Sequence, residues 1–509
     1  MSQTGEGFKV CTKKRVGSNQ IKVSATSDTQ EKEIAKVLGV NAQPHVVSTE
    51  VLNAEAKADM SVSFMALVCF ADGSFGSVKG QSNIRCSIEN AMLRPGQTAS
   101  FLTQAVDITA AVSHSELIFG AVLNSEVYMI DADISVKSIV VDDDIYTKES
   151  DIEINSYKQT VTHKGNISFE EPKDSKFKAL LFANHQVYLK NTVPNNDYLS
   201  VTGGVVVSAV YECEDGVLKS FIKNVDFSEE IEAVGLCREH IIQTRTVASG
   251  SANVNNVDGE GGGVLYFEVP YALTADIYDQ SRRECIVDAY SVDKEVNLTT
   301  SSFEQTQVFA GKSAEESVVA SFSVPEDKPR IEKILSVTGG GINITNALTK
   351  NGEVVTEGIA GINIVYFSED DDGNNVLNAM TVDVPFSALL SVPEAQEGDN
   401  VQAQVVMGEI TLKNRKGREL EVIADIKVNY NLDRQVLSAV ATDISFGDAK
   451  SERNFALEIF VARENQTIWD IAKHLNISTE ELLEQNAELT LPIAVGDKVV
   501  CYHKRKTDF

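Results

Sequence analysis

The sequence of 509 residues is poor in the residues that do chemistry: one tryptophan, ten prolines, seven cysteines and seven histidines. The histidines (His45, His114, His163, His185, His240, His474 and His503) are dispersed, with no His-Glu-x-x-His pair for zinc, and no Ser sits in a catalytic elbow. The cysteines (Cys11, Cys69, Cys86, Cys213, Cys237, Cys285 and Cys501) are odd in number, scattered and without a Cys-x-x-Cys spacing, so they are expected to be reduced and mostly buried. Basic residues are in the minority, 45 against 74 acidic, for a net charge of −29. Such a chain is a poor electrostatic match for nucleic acid or anionic lipid, and it would attract a basic partner surface. No apolar run reaches the length of a membrane span, and Met1 to Val10 lacks the apolar stretch of a secretory signal. Neither export nor anchoring is expected, which points to the cytoplasm.

Near-misses to known motifs fail on spacing. Ala310-Gly311-Lys312-Ser313 looks like the tail of a phosphate loop, but the Gly required five residues before Gly311 is Thr306. Gly261-Gly262-Gly263 and Gly339-Gly340-Gly341 lack dinucleotide spacing and read as turns or bulges. The acidic run Glu369 to Asn375 lacks the alternating ligands of an EF-hand and reads as a solvated hairpin tip. Cys237-Arg238-Glu239-His240 and Cys501-Tyr502-His503 bring thiol and imidazole close in sequence, without a second pair to complete a zinc site. No catalytic residue, metal or cofactor is expected, and the chain is not read as an enzyme. The basic tail His503-Lys504-Arg505-Lys506 is read as a solvated terminus.

What the chain does have is patterned strand. Composition is ordinary for globular protein, with length enough for three or four modules. An apolar run, an Asp-Gly turn and a second run recur at Val62 to Ile88 around Asp72-Gly73, at Gly204 to Phe227 around Asp215-Gly216, and at Gly361 to Phe386 around Asp372-Gly373. Asp-Gly between β-branched and aromatic runs is a strong hairpin signal. Ala35 to Leu38, Phe177 to Leu181 and Ile331 to Leu335 open the units. Asp144-Ile145-Tyr146-Thr147, Asp288-Ala289-Tyr290-Ser291 and Asp443-Ile444-Ser445-Phe446 close them. The expected fold is mainly β: three tandem antiparallel β-rich domains over 1–150, 151–300 and 301–455, then a small α+β module of strand, helix, helix and strand over 456–503.

In that module Leu457 to Ala462 reads as a strand. Thr467 caps a helix with Ile468, Ile471, Ala472 and Leu475 on one face. Ser478 and Glu481 offer a capping box for a second helix, with Ile477 and Leu482 as a staple. Val495-Gly496-Asp497 is a turn before the strand Lys498 to Tyr502. Thr467, Ile468, Trp469, Ile471, Ala472, Leu475, Leu482, Leu483, Asn486, Pro492 and Gly496 sit where the LysM family has its motif, so the module resembles a LysM domain; Asn465-Gln466 stands where that family has Gly-Asp. LysM domains of the glycan-binding kind grip N-acetylglucosamine chains with two loops. By that resemblance the ligand-contacting residues are Glu464, Asn465, Gln466, Thr467, Ile468 and Trp469 in one loop and helix start, and Asn486, Leu489, Leu491 and Pro492 in the other. The Trp469 ring is expected to be mostly core, with one edge exposed.

Tandem β units followed by such a module resemble the SPOCS-domain, SipL-type spore coat morphogenesis proteins. That resemblance implies a non-catalytic scaffold of the mother cell, located at the forespore surface, whose LysM module holds a coat morphogenetic protein of the ATPase class. The alternative is a protein that anchors itself to N-acetylglucosamine polymers of the cell wall or cortex.

Overall fold

The computed structural model describes residues 3–4, 7–29, 32–113, 116–141, 145–259, 262–370, 373–415, 418–450 and 457–502. Asp144, Gly261, Asp371 and Asp372, the linker from Ser451 and the tail from His503 lie outside them. The chain is mainly β, with two short helices near its end.

The first stretch contains β1 (Gln3–Thr4), β2 (Phe8–Asp28), β3 (Ile34–Leu52), β4 (Glu55–Phe70), β5 (Phe75–Glu89), β6 (Thr98–Ser113), β7 (Glu116–Val136) and β8 (Ile139–Val140). The second contains β9 (Tyr146–Lys173), β10 (Phe177–Asn195), β11 (Tyr198–Cys213), β12 (Leu218–Glu232), β13 (Ile241–Ala248), β14 (Asn253–Gly259) and β15 (Gly262–Tyr290). The third contains β16 (Lys294–Val308), β17 (Lys312–Ser323), β18 (Lys333–Lys350), β19 (Glu353–Glu369), β20 (Asn375–Ser391), β21 (Asn400–Arg415) and β22 (Glu419–Ala449). Last come β23 (Leu457–Val461), α1 (Ile468–Leu475), α2 (Thr479–Gln485) and β24 (Lys498–Tyr502).

Pairing follows one scheme in the first three stretches. A meander of three antiparallel strands (β3-β4-β5, β10-β11-β12, β18-β19-β20) packs on a second sheet in which the last long strand lies between the first and the fifth: β2-β7-β6, β9-β15 with β13 and β14, and β16 and β17 with β22 and β21. Among the described residues every ladder joins strands of the same stretch. Residues 150 and 300 fall inside β9 and β16, so strand pairing divides the chain a few residues earlier than the turn signals do. Tyr146 and Thr147 do not end the first stretch; they open β9 and pair with Tyr290 and Ala289 of β15. The motif resemblance that grouped them was real, but it marks the two partners of one ladder.

Local chemistry explains the shared scheme. Asp72-Gly73 and Asp215-Gly216 turn the chain between the second and third meander strands, as does Gly373, and each Gly has φ near +80°, a conformation that costs Gly nothing. Between the first and second strands lie Asn53-Ala54, Asn196-Asp197 and Asn351-Gly352, whose second residues are all left-handed. These turns anchor the next loop in the same way: Ala54 N–H donates to Leu93 O, Asp197 N–H to Leu236 O and Gly352 N–H to Ala395 O, and the three loop residues are buried.

One turn recurs five times. A side chain three residues on accepts from the first residue's N–H in Arg94 to Gln97, Cys237 to His240, Gln396 to Asp399, Arg463 to Gln466 and Ala494 to Asp497. Cys237 and His240 are thereby accounted for: the imidazole Nδ1 accepts from the Cys237 backbone at 3.0 Å. The glycine run Gly339 to Gly341 is a bulge in β18, where a Cβ on Gly341 would lie 2.7 Å from Val106 O. Gly311, in the break between β16 and β17, donates its N–H to Ile242 O.

The central meander strands are apolar on both faces because each face meets a different core. In β11, Val205, Val207 and Ala209 enter the core of their own two sheets, while Val210 joins Leu181 and Phe182 in a cluster with Leu38, Met65 and Leu67 from the first stretch and Leu335, Val365 and Leu377 from the third. All three stretches thus share one apolar centre. Polar bonds add to it: Asn41 Nδ2 donates to Ala183 O, and Asn184 Nδ2 to Gly339 O. Elsewhere on the junction, Lys13 is wholly buried. Its ammonium donates to Gln243 and lies 3.5 Å from the buried Asp433 carboxylate. Its backbone bonds Thr306 and Gln435. Burial lowers the Lys13 pKa and raises that of Asp433, and each charge opposes the shift of the other.

Candidate partner-binding face of the C-terminal module

Caps and turns build the module. Thr467 Oγ1 accepts from Asp470 N–H while Asp470 accepts from Thr467 N–H, a capping box whose second member the sequence reading missed. Asn476 ends α1 at φ 54°, and Ser478 Oγ accepts from Glu481 N–H to start α2. Asn465 adopts φ 61°, a left-handed conformation that Asn tolerates, and Gln466 supplies the turn's side-chain acceptor. Ile471, Ala472, Leu475, Ile477, Leu482, Val499 and Cys501 form the core, with Ile468 and Leu489 half-buried against it.

Several of the expected ligand-contacting side chains are used internally. Asn486 donates to Leu482 O and Val500 O and accepts from Val500 N–H, which ties α2 to β24. Thr467 and Gln466 are engaged as above. The turn hydrogen-bonded to the end of β23 is Ala494 to Asp497, through Ala462 N–H to Asp497 O and Gly496 N–H to Ala462 O. Glu464, Leu491 and Pro492 are exposed.

Trp469 packs against the cluster that contains the module core, and two of its partners lie outside the module. It is half-buried, its ring meets Tyr290 edge-on at 4.9 Å, and its Nε1 donates to Asp288 Oδ2 at 2.8 Å. Both partners belong to the end of β15.

The sequence reading overlooked the outer face of the two-stranded sheet. The helices cover one side of it, where Val499 and Cys501 are buried and Phe460 meets His474. Leu457, Ile459 and Val461 point the other way, 47%, 56% and 51% exposed, with Tyr502 at 57% opposite Leu457 and Val500 opposite Ile459. Among the described residues no helix lies over this apolar face, and exposed apolar patches are among the features that mark interaction surfaces. The alternation of Leu457, Ile459 and Val461 was the available signal; which side the helices cover was not.

Among the described residues no cluster of three His, Cys, Asp or Glu side chains is placed to hold a metal, and no helix is long and apolar enough to cross a membrane. Residues 330–414 match the family described as SipL, SPOCS domain. The SPOCS match covers β18, β19, β20 and nearly all of β21, which is the third meander with its anchoring loop and the strand that follows. The matched segment is similar to a sporulation-related, coat-associated domain of a family that is non-enzymatic in general terms. No curated protein and no solved structure matches the chain.

Proposed function

We propose that the protein is a non-catalytic scaffold of spore coat assembly, in which three SPOCS-like units form the body and the LysM-like module holds a coat morphogenetic protein of the ATPase class at the forespore surface, on the mother-cell side. The single observation that carries the binding half of this reading is the open apolar face of Leu457, Ile459, Val461, Val500 and Tyr502. An apolar patch with a charged rim suits a protein partner better than a sugar chain. A saccharide-binding loop offers free polar groups, whereas Gln466, Thr467 and Asn486 are committed to turns and caps. In this reading Glu464, Leu491 and Pro492 form part of the rim.

The test is calorimetry of the full chain against the purified coat ATPase and, separately, against chitin oligomers, each repeated with Ile459→Asp. Protein binding that Ile459→Asp abolishes, with sugar binding weak or absent, is the expected result. Micromolar sugar binding that Ile459→Asp leaves intact, with no protein complex, would replace this reading by anchorage to N-acetylglucosamine polymers.

A further inference from the structure

Four direct contacts join the module to the end of β15, and Lys450 bridges it to Ser291. Asp288 accepts from Trp469 Nε1 through one oxygen at 2.8 Å and from Lys473 Nζ through the other at 2.6 Å. Tyr290, itself buried, places its ring against the indole and donates its hydroxyl to Ile477 O at 2.8 Å, satisfying the carbonyl where the chain turns between α1 and α2. Lys450 Nζ donates both to Ser291 O and to Asn476 Oδ1, the C-cap of α1. Tyr146, opposite Tyr290 in the ladder, stacks on the other side of the same ring at 5.2 Å. Every atom of the module that takes part lies on α1 or at its end.

The end of β22 gives an internal control. There Asp443 Oδ1 accepts from Ile444 N–H as Asp288 Oδ1 accepts from Ala289 N–H, so the strand ends carry the same local device. At the position of Tyr290, however, stands Ser445. The tyrosine that enters the module is a feature of β15 and not of the strand-end turn as such.

We infer that Asp288 and Tyr290 form a docking site for the chain's own LysM-like module, and that Trp469 is its anchor, a positioning residue that contacts no external ligand in the docked state. The α1 side of the module is closed by the body, which leaves the outer sheet face as the side presented to a partner. A ligand that sought the indole would first have to displace Tyr290. Charge-assisted hydrogen bonds at a half-buried site, one edge-on aromatic pair and the packing of Tyr290 and Val292 against the module core hold the module. Such a contact can be undone without unfolding either side.

The single tryptophan makes this directly measurable in the full chain, because all emission excited at 295 nm comes from Trp469. Asp288→Ala and Tyr290→Ala are each expected to shift that emission to the red and to increase quenching by acrylamide at least twofold, with an unchanged circular dichroism spectrum and a larger radius of gyration in X-ray scattering. Unchanged emission, quenching and scattering in the double variant would overturn the docking site. The anchor role has its own readout: Trp469→Phe should loosen the module in scattering as the Asp288 variant does. If it leaves scattering unchanged but abolishes binding of the coat ATPase, the indole belongs to an external site and the inference fails. Scattering and emission are read without any ligand, so their outcome is independent of the proposed partner.

Discussion

The three β stretches meet one another and the C-terminal module by different means. Between stretches the contacts are an apolar cluster of nine buried residues, three from each, and a buried Lys13–Asp433 pair. The module is held by hydrogen bonds around Asp288, by Lys450 and by the contact of the half-buried Trp469 with the buried Tyr290. The first junction cannot part without exposing core and separating the buried pair, so the stretches are expected to unfold as one cooperative body. The second parts by breaking a few polar contacts and uncovering Tyr290. A scaffold needs both: a body that keeps its shape, and a binding module that is oriented yet removable.

The contrast breaks most severely at Lys13. Lys13→Ala takes the ammonium away from the buried Asp433 and Gln243 side chains and is expected to cost about 3–5 kcal/mol in denaturant unfolding. The double variant Lys13→Met with Asp433→Asn should recover much of that loss. Leu67→Ala, in the shared apolar centre, comes next at about 2–4 kcal/mol, and it should lower the unfolding of all three stretches together. Separate transitions would mean that the body is three independent units.

Trp469→Ala should lower stability by only about 1–2 kcal/mol, since the ring is half-buried and loses one hydrogen bond and one aromatic edge. A loss as large as that from Lys13→Ala would place the ring in a true core.

Acid should undo the docking before it unfolds the body. Burial alone would raise the Asp288 pKa, but the Lys473 and Trp469 hydrogen bonds outweigh it and hold the carboxyl below its ordinary 3.8. A depressed folded-state pKa means that its contribution is fully present above 3.8 and fades as the pH falls through the lowered value. Trp469 emission followed from pH 6 downward should therefore shift to the red in acid, and Asp288→Asn should remove that Asp288-linked step. The smallest effect is expected at the open face: Ile459→Ser should change stability by no more than about 0.5 kcal/mol while weakening partner binding.

Turn chemistry made much of this fold legible. Asp72-Gly73, Asp215-Gly216 and the caps Thr467 and Ser478 are local signals, and the hairpins and helices stand where they point. The Asn-initiated hairpins were hidden because Ala54, Asp197 and Gly352 share a backbone conformation and not a residue type. Long-range partners left no trace in sequence. Nothing near Trp469 announces Asp288, 181 positions away, and nothing near Lys13 announces Gln243 or Asp433. Boundaries slipped for a related reason: the first and last strands of each stretch pair with each other, so a motif at a strand end belongs as much to its partner as to its neighbour in sequence.

The reach of Lys13 also sets a timetable. Its backbone carbonyl accepts from Gln435, 422 residues later. At ribosomal speeds of about 5–20 residues per second, that separation is bridged only about 20–80 s after β2 has been made. Until then Lys13 lacks its Asp433 carboxylate, and the apolar cluster of Met65 and Leu67 lacks Leu335, Val365 and Leu377 of the third stretch. The ribosome therefore delivers β7, the ladder partner of β2, early, and Asp433 and Gln435, which close over Lys13, almost last. During that interval the nascent chain is most exposed to misassembly, and a chaperone that shields the first stretch would act there.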